Sequence, residues 1–142
     1  MVDEMRMKAG ELLTVRGGLG MTQADLSTHL GVRRDTLSKW ESGSDPIPFA
    51  VREEIEALEA YTNQAVKSLV DMLKTTSVIA VAVHKNTDNP SVRPDHQALG
   101  PGWWRMVVYR AVQEVPGVEI GYAWELQEEM TDGQQSVAPY FA

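Results

Sequence analysis

The sequence predicts a mainly α-helical fold with a small α+β C-terminal part, on three observations. Thr22 to Gly43 carries the caps and apolar spacing of two short helices around a glycine turn. From Phe49 onward apolar residues recur at helical spacing over a long stretch. The run Val78-Ile79-Ala80-Val81-Ala82-Val83 then replaces that pattern with a continuous β-branched segment, which reads as a buried strand.

Taken in order, residues 1–4 read as a frayed start. A first helix is expected from about Met5 to Arg16, with Met5, Leu12 and Leu13 inward and Gly17-Gly18 ending it. Thr22 can cap a second helix, with Asp25 in the position of a capping box. Leu26 and Leu30 fall one turn apart on its buried face, and Ala24 is small enough for close helix contact. Gly31 suits the left-handed end of that helix, and Val32 can plug the corner that follows. In the third helix Leu37 and Trp40 share the inner stripe, with Thr36 beside them. Arg33, Arg34, Asp35, Ser38 and Lys39 are left pointing outward, and Glu41-Ser42-Gly43 ends the helix. Pro46 and Pro48 break the chain and lead tightly into the long helix. Its stripe is Val51, Ile55, Leu58, Ala65, Leu69 and Met72, with Thr62 the polar member and Leu73 near its end. Glu53, Glu54, Glu56 and Glu59 make a solvated flank.

After the strand, Asn86 to Pro94 is rich in turn residues and reads as an exposed loop. Pro101-Gly102 can open a helix that carries Met106, Val107, Tyr109, Arg110 and Val112 and continues to about Val115. Pro116-Gly117 is a turn, and residues 118–123 alternate as a second strand. The stretch 127–142 is polar and expected to be loosely ordered, with Tyr140-Phe141 able to dock. The divisions expected are 1–62, 63–126 for a strand-helix-strand dimerisation unit, and the tail 127–142. Two strands and one helix leave sheet edges and an apolar face uncovered, which a second copy across a two-fold axis would cover. Trp103, Trp104 and Trp124 are the candidates for that interface; the alternative is ordinary packing within the chain.

Composition narrows the function. The 142 residues are 43% hydrophobic, enough for a globular core, with no apolar run long enough to span a bilayer and no opening secretion signal. A cytoplasmic protein without membrane contact is expected. There is no cysteine, and His29, His84 and His96 show no metal-ligand spacing, so no metal or other cofactor is expected. No nucleophile–base set, phosphate loop or paired-carboxylate site stands out, so no enzyme is expected.

The segment from about Glu11 to Pro48 resembles the Cro/phage-repressor (XRE) class of helix-turn-helix domains. The resemblance rests on Leu12-Leu13 and Arg16, Met21-Thr22-Gln23, Leu30-Gly31-Val32, Thr36-Leu37-Ser38-Lys39-Trp40-Glu41-Ser42-Gly43, and Pro46-Ile47-Pro48. It implies a lambda-repressor-like domain of four to five helices, whose third helix enters the DNA major groove. It also implies that Arg33, Arg34, Asp35 and Lys39 face base edges, with Ser38 on the same side. Arginine suits guanine O6 and N7, and lysine the same acceptors. Asp35 suits a cytosine amino group, or aims a neighbouring arginine. Gln23 matches a phosphate-gripping position at the start of a helix, and Ser42 could help similarly. Ser44 and Asp45 replace the basic loop of many repressors, which implies fewer phosphate contacts. The resemblance further implies a largely buried ion pair between Arg16 and Glu41. The bland alternatives are a solvated helix face and two exposed, unpaired charges.

The net charge of −7 opposes binding to phosphates, but it is unevenly spread. From Met5 to Gly43 six basic residues face four acidic ones, leaving +2 there and −9 on the rest of the chain. Acidity elsewhere can orient the protein and suppress nonspecific contacts.

A second resemblance runs from about residue 8 to 123. Trp40-Glu41-Ser42-Gly43, Ile47-Pro48, the long helix, Asp95-His96, Gly102 and Trp104-Arg105 resemble the anti-CRISPR-associated (Aca-type) dimeric autoregulators. Together the resemblances imply a homodimeric transcriptional regulator, a repressor on a palindromic (inverted-repeat) operator in double-stranded DNA near its own promoter. The alternative is an antitoxin-like module whose C-terminal part binds a protein partner while the helix-turn-helix autoregulates.

Overall fold

A computed structural model describes residues 6–76, 79–85, 98–129 and 136–137. Helices α1 (Ala9–Gly18), α2 (Gln23–Leu30), α3 (Arg34–Ser42) and α4 (Phe49–Thr75) come first. Strand β1 (Ala80–Val83), helix α5 (Pro101–Glu114), strand β2 (Glu119–Tyr122), helix α6 (Ala123–Glu129) and strand β3 (Ser136–Val137) follow.

The local chemistry of the first three helices sets their ends. Glu11 accepts from the Lys8 N–H at the start of α1 (3.2 Å). Gly17 and Gly18 are the last two residues of α1, two beyond the expected Arg16; Leu19 caps it and Gly20 then turns left-handed at φ 70°. The α1 register also turns Leu13 outward, 48% exposed, while Leu12 is fully buried. Met5 lies outside the described residues. The Thr22 hydroxyl accepts from the Asp25 N–H (3.0 Å) and the Asp25 carboxylate accepts from the Thr22 N–H (3.2 Å), closing the capping box of α2. Gly31 ends α2 at φ 71°, and the Val32 N–H returns to the Ser27 carbonyl. Ala24 is exposed; Ser27 is the small residue that α2 buries. Leu37 and Trp40 face inward from α3, which Gly43 closes at φ 82°.

Helix α4 is 27 residues long and buries Val51, Ile55, Leu58, Thr62, Ala65, Val66, Leu69, Val70 and Leu73. The expected boundary between residues 62 and 63 falls in the middle of this helix. One continuous core joins Leu12, Leu26, Leu37 and Trp40 to Val81, Trp103, Val107 and Ala111. Trp103 and Trp104 are therefore interior, with 0% and 2% exposure, and not on an intermolecular face as expected. The reason is polar as well as apolar. The Trp103 indole N–H donates to the Thr62 hydroxyl (2.9 Å), which itself donates to the Leu58 carbonyl (2.7 Å). The Trp104 indole N–H donates to the Ala82 carbonyl (3.1 Å).

The sheet order is β2-β1-β3, with both pairings parallel. Helix α5 is the crossover from β1 to β2, pairing Ala80 with Glu119 and Val83 with Tyr122. β1 is buried along its whole length, as a central strand covered on both faces should be. Val81 and Val83 join the main core, whereas Ala80 and Ala82 pack against Leu126 of α6. The expected strand over 118–123 is shorter, because Ala123 already begins α6, an element the polar composition did not reveal. It is also less buried than its alternation suggested: Ile120 and Tyr122 stay 42% and 36% exposed. The Asn86 to Pro94 loop, Asp95-His96 and Tyr140-Phe141 lie outside the described residues. No helix among the described residues is long and apolar enough to cross a membrane.

Candidate nucleic-acid interface

The candidate site is the outer face of α3 and its approach. Arg33 caps the helix in extended conformation, and Arg34, Asp35, Ser38 and Lys39 follow at positions separated by about one turn. All five are exposed, while Leu37 and Trp40 on the opposite side anchor the helix in the core. Arg33 and Asp35 approach to 3.9 Å with both side chains more than four-fifths exposed, so the contact is a solvent-screened aim and adds little stability. The side chains are thus free to reach outward.

Behind this face lies a polar clamp. Arg16 Nε and Nη2 donate to the two Glu41 carboxylate oxygens at 2.6 and 3.0 Å, a bidentate fork, and Arg16 Nη1 donates to the Met21 carbonyl at 3.0 Å. The side chains are 17% and 5% exposed. Gln23 Nε2 donates to Glu41 Oε1 at 3.0 Å. One carboxylate at the end of α3 therefore ties together α1, the turn before α2, and the first residue of α2. Desolvation pushes the Glu41 carboxyl upward, but the hydrogen bonds from Arg16 and Gln23 and the Arg16 charge outweigh it and hold the group below its ordinary value. The Arg16 pKa is raised, chiefly by its hydrogen bond to Glu41.

The structure brings Arg16, Gln23 and Glu41 together and leaves Arg33, Arg34, Asp35, Ser38 and Lys39 on one open face. The Gln23 link to Glu41 has no counterpart in the sequence reading, which gave Gln23 to a phosphate. Ser42 is also locally engaged: its hydroxyl donates to the Lys39 carbonyl (3.2 Å) and lies 2.9 Å from the Ser44 hydroxyl. Of the three tryptophans expected together, Trp124 alone stands at the surface, 61% exposed and stacked on Tyr122 at 6.3 Å. Ile120 and Tyr109 are exposed large apolar side chains of the same C-terminal part, which the sequence reading placed on the strand and the helix without anticipating their exposure. The alternation of Ile120 with Tyr122 was the signal available for this. A second clamp was also missed: Arg52 donates to both Glu11 oxygens (3.2 and 3.0 Å), fastening α4 to α1.

Residues 12–51 match a helix-turn-helix family model. The match begins inside α1, takes in α2 and α3 whole, and ends at the start of α4. No curated protein matches the chain. The fold and this match support a helix-turn-helix similar to the Cro/C1 type over residues 12–51, and with it a DNA-binding transcription regulator.

Proposed function

We propose that the protein is a homodimeric, sequence-specific DNA-binding regulator without enzymatic activity, acting in the cytoplasm as a repressor on an inverted-repeat operator near its own promoter. The observation that carries the DNA-reading part is the exposed Arg33, Arg34, Ser38 and Lys39 face on a helix anchored by Leu37, Trp40 and the Glu41 clamp. Arg34 and Lys39 supply donors for guanine O6 and N7, and Asp35 selects against or for a base at the same step. Gln23 Nε2 carries two hydrogens, so one can meet a phosphate while the other stays on Glu41. The homodimer reading draws on the edge strand β2 and the start of α6, where Ile120 and Tyr122 of the strand and Trp124 of the helix are exposed and aromatic side chains favour an interface. Two copies would place two α3 helices one DNA turn apart. The repressor role and the operator position draw on the family resemblance.

The test is fluorescence anisotropy with the full chain on DNA upstream of its gene. Arg34→Ala and Lys39→Ala should each weaken specific binding by about 1–3 kcal/mol while leaving the circular dichroism spectrum unchanged. Undiminished binding by both variants would overturn the assignment of α3.

A further inference from the structure

Three consecutive residues at the start of α5 touch three different parts of the molecule. Gly102 lies backbone to backbone against Gly20, in the turn between α1 and α2; a Cβ built on either glycine would run into the carbonyl oxygen of the other. Trp103 bonds to Thr62 of α4, and Trp104 bonds to the Ala82 carbonyl of β1. Two residues before this trio, Gly100 at φ 97° sits against the Asp25 carboxylate, within the capping box of α2. The first turn of α5 therefore presses on the helix-turn-helix, the long helix and the sheet at once. Close-packed backbone contacts of this kind transmit a displacement because there is no side chain to absorb it.

We infer that the Gly20–Gly102 contact fixes the angle of the helix-turn-helix against the C-terminal part, and so sets the half-site spacing that a dimer accepts. The inference rests on the homodimeric reading above. Gly102 has ordinary helical backbone, so alanine is strained there only by the contact itself. A Cβ needs at least 3.0 Å from its neighbours. Making room for it parts the two segments by on the order of 1 Å, and a two-fold axis repeats that displacement in the second copy. One base-pair step is about 3.4 Å along the DNA. The change is a sizeable fraction of a step and falls directly on register.

The experiment uses the full chain, with an operator selected from random duplex DNA, its single half-site, and versions with one or two base pairs added to or removed from the centre. Gly10→Ala is the control, since a Cβ there meets nothing within 4 Å. Gly102→Ala should bind the half-site as the unaltered protein does, lose about tenfold on the selected repeat, as for one good base contact, and prefer a different or broader set of spacings. The same affinity and the same spacing optimum as the unaltered protein would overturn the inference. Binding of the half-site as tightly as the repeat by the unaltered protein, with no dependence on spacing, would instead overturn the dimeric reading. A second measurement needs no DNA and no stable Gly102 variant. The chain has no cysteine, so spin labels at Thr28→Cys and Gln127→Cys, diluted with unlabelled protein, report one intrachain distance between α2 and α6. A single narrow distance supports a fixed junction, and a broad distribution overturns it.

Discussion

Replacing Glu41 with glutamine keeps the shape of the clamp and removes its charge. The carboxylate is 5% exposed and accepts three hydrogen bonds, two from Arg16 and one from Gln23. Glutamine offers one acceptor oxygen, and its amide group points donors at donors. Removing one member of a buried pair costs about 3–5 kcal/mol. Arg16 is 17% exposed and keeps its bond to the Met21 carbonyl, which places Glu41→Gln near the lower end, at about 3 kcal/mol. That is a large share of a typical domain stability, and for a chain of this size it lowers Tm by roughly 10 °C. The assay is thermal unfolding followed by near- and far-ultraviolet circular dichroism, with DNA affinity measured below the transition. Affinity should fall as well, because α3 loses its tie to α1 and α2. A companion variant that makes both positions apolar, Arg16→Met with Glu41→Leu, should recover much of the stability, since no charge is then stranded. A Tm for Glu41→Gln unchanged within about 2 °C would refute the reasoning, as that shift corresponds to well under 1 kcal/mol.

Thr62→Val removes the hydroxyl that receives the Trp103 indole N–H, and a loss of about 1–3 kcal/mol in denaturant unfolding is expected; an unaltered midpoint would count against that bond as an anchor of α5. Stability should fall in acid for a definite reason. The folded Glu41 and Glu11 carboxyls lie below the ordinary value of 4.5, Glu11 chiefly through its hydrogen bond from Arg52, so the unfolded chain takes up protons first and stability drops as pH falls below that value. His84 adds an earlier step: burial pushes its pKa below 6.5, and its Nε2 has no hydrogen-bond partner among the described residues. Its ring should titrate below pH 6.5 by nuclear magnetic resonance; a midpoint above that would contradict the burial. Trp124→Ala should leave Tm nearly unchanged, since the ring is 61% exposed, while weakening self-association in sedimentation velocity; unchanged association would remove Trp124 from the interface.

Short-range features were legible and long-range ones were not. Thr22, Asp25, Gly31 and Gly43 act within a few residues of themselves, and the capping and glycine rules identify them directly. The α4 stripe was legible because its period is local, Thr62 included, but nothing local says that Thr62 would receive the Trp103 N–H from 41 residues away. That bond for Trp103, and the one from Trp104 to the Ala82 carbonyl, hold in the core two tryptophans expected at an interface. Gly17-Gly18 marked the end of α1 but stay in its last turn, because glycine lowers helix propensity without forbidding it, and the left-handed φ of 70° that follows falls on Gly20. Helix α6 escaped because seven residues containing three glutamates and a glutamine show little apolar periodicity; Leu126, with the partly buried Ala123, fastens it to Ala80 and Ala82. At the candidate site, the outward face of α3 followed from spacing, and the joining of Arg16 to Glu41 followed from the resemblance. The third member, Gln23, required coordinates.

The central claim is that α3 reads DNA, and the most direct measurement is a titration of the isotopically labelled full chain with a selected duplex, followed by nuclear magnetic resonance. The account predicts that the signals of Arg33, Arg34, Asp35, Ser38 and Lys39, side-chain guanidinium groups included, shift most with the selected sequence and far less with a scrambled one. Largest shifts clustered instead on Ile120, Tyr122 and Trp124, with α3 unmoved, would contradict it.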